Sequence, residues 1–392
     1  LKIGVFTDSY LPAPSGVAFT VEMFRRELTK LGHEVTVFTP EFSGYIDTRP
    51  NIVRLPSFIT PSRPDTPIIY PLTKSRLQKL EQYEFDIIHT HNFINLGVTG
   101  LNLGQKFHIP VVNTHHNLYT DYSTLYAKWL KGIAKSWLLN KCRLYSNSCQ
   151  GIIVPTPSLK ELLIQYNIVV PIEIIPSGID LQAYTSSPPV TVFNQFHIPK
   201  GRKIILYSGP ISEESNIRFL LRSFKILLNK IDDIHLVLNG GGPETELFER
   251  IISTQSFADN VTLTGLLPKG EANKLIGIAD IAVSPSTVDT QGISITEAMA
   301  AGVPTIAVNR LGPADIIRDG EDGYLVPLNE DAFAGRIKYL LEHPKLRSHF
   351  GLAARKNAAR FDIKRCSKHL EQYYSNIIKK NNGKTTQYHK IS

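Results

Sequence analysis

The 392-residue sequence has no run of about 18 apolar residues, so it predicts no transmembrane helix. Cysteine is scarce. Cys142, Cys149 and Cys366 fall at no metal-binding or redox spacing, which suits a reducing cytoplasm and a role as small packing groups. The opening stretch LKIGVFTDSY lacks the apolar core and cleavage site of a secretory leader and reads as a first buried strand. No helix-turn-helix, zinc-finger or RNA-binding signature occurs, so nucleic acid is not an expected partner. The basic balance, net +8, still favours anionic partners such as phosphorylated substrates or an anionic lipid surface.

What is present is a soluble globular composition, 42% hydrophobic and 20% charged, in a chain too long for one ordinary core. Short apolar strands alternate with helical stripes. Lys2–Thr7 is followed by Val17, Val21, Phe24, Leu28 and Leu31, spaced as one face of a helix. Gly32 stands where a helix C-cap glycine belongs, and Val35–Thr39 is the next strand. The pattern repeats through Asp86–His89, Leu96–Phe107 and Val111–Thr114, and continues at Ile152–Val154 and Ile172–Ile175. After a Ser- and Pro-containing stretch around Ser186–Pro189, a second alternating set runs from Lys203 to Val308. Alternation of this kind predicts α/β architecture: two doubly wound, Rossmann-like domains facing across a cleft. The boundaries read as 1–190 and 191–363. Residues 364–392 read as a C-terminal helix crossing back to the first domain, with a frayed polar tail from Lys379.

In open α/β sheets, ligands meet glycine turns and helix N-termini at the C-terminal ends of strands. Three segments have that form: Pro12–Gly16, Asn239–Pro243 including Gly241, and Asp289–Ser294. The third is the most specific. In SPSTVDTQGISITEAMAAGVPTIAV, seven residues separate Asp289 from Glu297. Asp289 is expected in the loop before a helix and Glu297 one turn into it. Carboxylates there can accept hydrogen bonds from ribose or sugar hydroxyls, and the amides of Gln291, Gly292, Ile293 and Ser294 can meet a diphosphate. The plainer role is the default for either acid taken alone: Asp289 as a helix cap and Glu297 as a solvated helix residue.

With these motifs in hand, the chain resembles the family-four (group 1) retaining glycosyltransferases of GT-B architecture over nearly all its length. The matching segments include FDIIHTHN, PVVNTHHNLYTDY, IEIIPSGID, LNGGGPE, VTLTGLLP and DTQGISITEAMAAGVPTIA. It is most similar to the bacterial enzymes that glucosylate diacylglycerol. The resemblance implies transfer of a hexose, expected to be glucose, from a nucleoside-diphosphate sugar, expected to be UDP-linked, to a lipid or glycan acceptor. It implies no metal or other cofactor. It also implies that Glu297 holds the ribose, Asp289 the donor sugar hydroxyls, Gly16 the diphosphate, and Leu266 and Leu267 the base. His116 would contact the sugar, although neighbouring His115 has the same chemistry.

The chain departs from the family pattern at two cations. The positions of the diphosphate-binding arginine and lysine are Pro210 and Ser215. Loss of a fixed cation costs a reaction that develops charge on its leaving group about 2.7–4 kcal/mol. Arg218, Lys203, Arg202, Lys269 and Arg310 are candidate replacements. The departure keeps open a second reading, a catalytically degenerate protein that binds a sugar nucleotide or a partner; a third, a sugar-nucleotide epimerase, rests on that chemistry also occurring on this fold. Finally, Lys128, Lys131 and Lys135 fall on one helical face with Trp129 and Trp137 roughly opposite. That composition suits either an interfacial helix or a helix packed on its own domain. The first alternative predicts a cytoplasmic protein peripheral on the inner membrane face.

Overall fold

The structure, a computed structural model, describes residues 1–60, 63–116, 131–184 and 191–388. It divides into two units: Leu1–Gly178 with Ile363–Ser392, and Ile179–Asp362.

Among the described residues, nine strands belong to unit 1: β1 (Lys2–Phe6), β2 (Glu34–Pro40), β3 (Ile52–Leu55), β4 (Ser57–Thr60), β5 (Arg63–Ile69), β6 (Ile87–Thr90), β7 (Val111–Thr114), β8 (Gly151–Val154) and β9 (Ile172–Ile174). Seven form a parallel sheet in the order β3-β2-β1-β6-β7-β8-β9, while β4 and β5 pair separately and antiparallel. A parallel sheet is covered on both faces, and strand alternation divides its side chains between two cores. Ile3 and Val5 of β1 pack with Val21, Phe24 and Leu28 of helix Gly16–Lys30. Phe6 points the other way, toward Leu96 and Leu101 of helix Leu96–Phe107. The first face is completed by helix Ile363–Tyr388, through Ile363, Cys366, Leu370, Tyr374 and Ile377.

Unit 2 contains β10 (Lys203–Ser208), β11 (Ile234–Asn239), β12 (Val261–Gly265), β13 (Ile281–Ser284), β14 (Thr305–Val308) and β15 (Gly323–Val326). All are parallel, in the order β12-β11-β10-β13-β14-β15. The order reverses between β10 and β13, and a crevice opens at such a switch point beyond the strands' C-terminal ends. Helix Glu330–Glu342 shows how the local sequence builds the layer. The Asn329 side chain accepts from the Ala332 amide at 2.9 Å, and Glu330 and Asp331 complement the positive helix start. Phe333, Ile337, Leu340 and Leu341 then recur on the buried face. Truncating the fully buried Phe333 to alanine would cost about 3–5 kcal/mol.

The sequence reading missed β3, β15, the β4–β5 pair, helices Lys74–Leu80, Pro157–Gln165 and Lys269–Ile278, and the helices between β14 and Ile363, but not the C-terminal helix itself. β3, β4 and β15 have four residues each, too few to show a period, and β4 and β5 pair only with each other, outside the strand–helix alternation. The polar segment expected to be frayed from Lys379 is helical to Tyr388, continuing the helix anchored by Tyr374 and Ile377. The first crossing between units falls at Gly178–Ile179, before the Ser186–Pro189 stretch, because Ile179 and Tyr184 are buried in the core of unit 2. That stretch itself lies outside the described residues.

Candidate functional site

In unit 2 the loop after β13 carries Asp289, Gln291 and Gly292 into helix Ile293–Ala301. Gly292 is the helix N-cap, with φ 78°, a left-handed conformation that favours glycine. Asp289 is therefore not the cap. Its backbone carbonyl accepts from the Gly312 amide at 3.0 Å, and Ser286 hydrogen-bonds its half-buried carboxyl. Burial pushes that carboxyl above the usual aspartate range, and the Ser286 bond partly offsets the shift. The loop is held closely. A Cβ on Gly312 would lie 2.6 Å from the backbone of Gln291, so only glycine lets the next strand–helix connection brace it.

Glu297 is buried, 6% exposed, and is not a solvated helix residue. Its carboxylate accepts from the Lys269 ammonium, at the start of helix Lys269–Ile278, and hydrogen-bonds the Tyr184 hydroxyl. Tyr184 is itself buried, and burial together with the Glu297 charge raises its pKa. One buried carboxylate thus faces a cation and a phenol, the compensation that burial of a charge requires.

The glycine run after β11 serves close backbone packing. A Cβ on Gly240 would sit 1.8 Å from the Gly209 carbonyl oxygen, and one on Gly242 2.4 Å from that of Ile211. The Ile211 amide donates to Gly241 at 3.0 Å. These glycines let the loops after β10 and β11 lie against each other. Gly241 also backs Leu266, which is 58% exposed, whereas Leu267 packs against the unit 2 core.

Pro210 is exposed, and its carbonyl accepts from the buried Tyr207 hydroxyl at 2.7 Å. Ser215 is buried beside Ser212, with their hydroxyls 3.1 Å apart. Of the five candidate replacement cations, Lys203 donates to the Leu341 carbonyl at 3.2 Å and Arg202 to that of Asp259 at 3.4 Å. Both lie at the N-terminal end of β10, away from the switch-point loops. Arg218 stacks over Phe248 at 5.5 Å, and Arg310 is exposed at the N-cap of helix Leu311–Ile316. Lys269 alone among these five is bonded to a candidate site residue.

Unit 1 holds a second polar cluster at the ends of β6 and β7. The Nδ1 of His91 and the Nε2 of His116 are 2.8 Å apart. His89 Nδ1 lies 2.6 Å from the Tyr374 hydroxyl, and its Nε2 lies 2.6 Å from that of Thr114. His115 is fully buried, with Nε2 3.0 Å from the Ser146 hydroxyl, while His116 retains partial exposure and lines a pocket with Thr20, His91 and Ser177. Burial pushes His89 and His115 down to about 3 and His116 to about 4, and lowers His91 well below the ordinary imidazole value. All four rings are neutral at pH 7. Nearby, Asp8 accepts from the Leu96 amide at 3.3 Å and from the Asn92 side chain, and burial lifts it to about 7.

Gly16 is exposed at the start of the first helix, whose cap is Ser15, accepting from the Ala18 amide at 3.1 Å. His89, His91, Asp8, Tyr184 and Tyr374 escaped the sequence reading as site residues. The H-T-H spacing, which puts two imidazoles on one strand face, was the signal available for the first two. Nothing local marks the tyrosines, because the distant chain segments that carry them meet their partners only on folding.

Of the proposed membrane face, Lys128 and Trp129 lie outside the described residues, as does the Lys131 side chain. Lys135 and Trp137 are both exposed, Trp137 to 53%, on helix Lys131–Ser148. Lys141 sits 5.7 Å over the Trp137 ring, and Leu144, two turns on, is 54% exposed. Leu138, Cys142 and Tyr145 fill the buried side. Among the described residues, no helix is long and apolar enough to cross a membrane.

Two family models match in succession: Glycosyltransferase Family 4 over residues 14–183 and Glycosyl transferases group 1 over residues 191–357. The chain is 29% identical to the alpha-monoglucosyldiacylglycerol synthase of Streptococcus pneumoniae, over 97% of this chain and 87% of that protein. It is 27% identical to the synthase of the same name from Acholeplasma laidlawii, over 98% and 99%. Among solved structures, the sucrose-phosphate synthase of Thermosynechococcus elongatus superposes with a TM-score of 0.78 at 22% identity, over 96% of this chain and 98% of that one. Anabaena HepE in complex with UDP-glucose superposes with a TM-score of 0.77 at 16% identity, over 96% and 99%. These likenesses carry the fold, two Rossmann-like α/β units of GT-B type.

Proposed function

We propose, from the premise that the chain belongs to the family-four, group 1 glycosyltransferases, that it moves glucose from UDP-glucose to a diacylglycerol-type lipid. The observation that carries the donor half is that Asp289, Gln291, Gly292 and buried Glu297 share the one loop and helix following β13, beside the point where strand order reverses.

In this reading Glu297 accepts the two ribose hydroxyls. An ionised, buried acceptor makes hydrogen bonds worth about 1.5–3 kcal/mol each. Leu266 offers the exposed apolar surface for the base. The opening amides of helix Ile293–Ala301 face the diphosphate, where the helix dipole adds positive potential. Asp289 takes sugar hydroxyls, and Gly16 lets the backbone approach a phosphate. His116, neutral at pH 7, is read as a sugar-contacting side chain that donates or accepts one hydrogen bond without adding charge. The bond from the anomeric carbon to the diphosphate breaks, and the electron pair goes to the diphosphate. A new bond forms from the same face to an acceptor hydroxyl, whose proton is released. No metal is assigned a step.

The acceptor half rests on the names of the two synthases and on the exposed Trp137, Lys141 and Leu144, a surface suited to an anionic bilayer. In this reading the protein works as a peripheral protein on the cytoplasmic membrane face.

One observation favours the second reading, a non-catalytic sugar-nucleotide-binding protein. At the two positions where the family resemblance expects cations stand an exposed proline and a buried serine. Calorimetry with UDP-, GDP- and ADP-sugars tests the donor site. Incubating the full chain with UDP-glucose and diacylglycerol vesicles, with mass detection of glucosylated lipid, then separates the two readings. Binding without product leaves only the second, and no binding of any sugar nucleotide removes both.

A further inference from the structure

His89 and His91 stand two residues apart, so both project from the same face of β6 and its continuation. Thr114 and His116 stand likewise at the end of β7, the adjacent parallel strand. The result is a two-rung ladder. One rung is His89 Nε2 to Thr114 Oγ1 at 2.6 Å, and the other is His91 Nδ1 to His116 Nε2 at 2.8 Å. The rings of His89 and His91 are 4.1 Å apart, and those of His91 and His116 lie at 5.1 Å and 21°. Behind the ladder, Tyr374 of the C-terminal helix bonds His89 Nδ1 at 2.6 Å.

A hydrogen bond between two ring nitrogens needs one that carries a proton and one that does not. Each choice at His91 therefore dictates the tautomer of His116. Turning both rings into imidazolium would put two like charges about 5 Å apart in a buried site. We infer that His91 is a positioning residue: through Nδ1 it selects the protonated nitrogen of His116 and fixes the plane of its ring. The structural statement stands on this geometry, while its consequence for turnover rests on reading His116 as a sugar-contacting residue. His91 itself is assigned no contact with substrate.

Asparagine and glutamine separate positioning from mere filling of space, because the asparagine amide overlies imidazole Nδ1 and the glutamine amide overlies Nε2. The experiment uses the full chain with 15N-labelled histidine rings and assigns the His116 resonances by their loss in His116→Gln. Wild type and His91→Asn should show His116 in one dominant tautomer. His91→Gln and His91→Phe should show a tautomer mixture. UDP-glucose turnover with diacylglycerol vesicles should stay within about threefold in His91→Asn. In His91→Gln it should fall about tenfold or more in kcat with KM nearly unchanged. Identical His116 signals in wild type and His91→Gln overturn the inference. If His91→Phe does not fold, the two amides still decide, since both are polar and of similar bulk. Unchanged turnover in His116→Gln removes the sugar-contact reading but leaves the tautomer result to judge the positioning role.

Discussion

The two units present opposite solutions to the same problem of placing polar groups at the ends of a parallel sheet. In unit 1 the cluster is uncharged. His89, His91 and His115 are buried and His116 half-buried, and they engage one another or the hydroxyls of Tyr374, Thr114 and Ser146. In unit 2 the carboxylate of Glu297 is buried against an ammonium, and Asp289 sits half-buried nearby. The difference teaches where charge is tolerated. A buried ion is stable only with a partner, so Glu297 comes with Lys269 and Tyr184, while the unit 1 histidines avoid the cost by staying neutral.

Acid should distinguish the units most strongly. His89, His115 and His116 have pKa values of about 3, 3 and 4, against about 6.5 when unfolded. Below pH 6.5 the unfolded chain therefore takes up protons that the folded chain refuses, and each histidine removes about 1.4 kcal/mol of stability per pH unit. Asp8, lifted to about 7, acts in the opposite sense: between about pH 4 and 7 the folded state holds a proton that the unfolded state has lost. Three histidines outweigh one aspartate. In unit 2, His235 at about 4 is opposed by the raised carboxyls of Asp289 and Asp322. Hydrogen exchange at pH 5, corrected for intrinsic rates, should show unit 1 opening before unit 2. Simultaneous opening would break the comparison.

The next effect concerns the charge that unit 2 lacks. Pro210→Arg places a guanidinium on an exposed loop position whose carbonyl, not its nitrogen, makes the structural bond to Tyr207. Turnover of UDP-glucose should rise on the order of 10²- to 10³-fold, the inverse of losing one preorganised electrostatic group. Ser215→Lys should instead lower the melting temperature, because Ser215 is buried. An active wild type whose rate Pro210→Arg leaves unchanged would mean that another group already stabilises the diphosphate.

Glu297→Gln keeps the shape and removes the charge. UDP-sugar affinity by calorimetry should fall about 10- to 100-fold, the scale of one charge-assisted hydrogen bond. Unaltered affinity would remove Glu297 from the donor site. The smallest change is expected from Lys269→Met. The Lys269 side chain is 41% exposed and in this reading meets Glu297 rather than the donor, so affinity should shift by no more than about fivefold, while loss of the cation beside buried Glu297 should lower the melting temperature. A much larger loss would indicate that Lys269 touches the donor itself.

Much of this was legible in the linear chain. The strand–helix alternation set the doubly wound class, because apolar periodicities of 2 and 3.6 are local properties. The Asp289–Glu297 segment announced a loop–helix junction, since Gly292 permits the left-handed turn that starts the helix. The glycines after β11 carry two readings for an equally physical reason. Glycine serves close backbone packing as readily as ligand approach, and here Gly240 and Gly242 admit the neighbouring loop.

What residue order settled by itself was the class of fold, the family, and the type of chemistry that an acidic loop–helix junction can support. Tertiary structure alone decided which of two adjacent histidines lies at a pocket, and which of five basic residues reaches Glu297. It alone brought Tyr374 to His89 and Tyr184 to Glu297. Those outcomes depend on contacts between residues 25 to 285 positions apart, such as His91 with His116 and His89 with Tyr374. No local pattern encodes such pairings, because they form only when strands and returning helices are packed together.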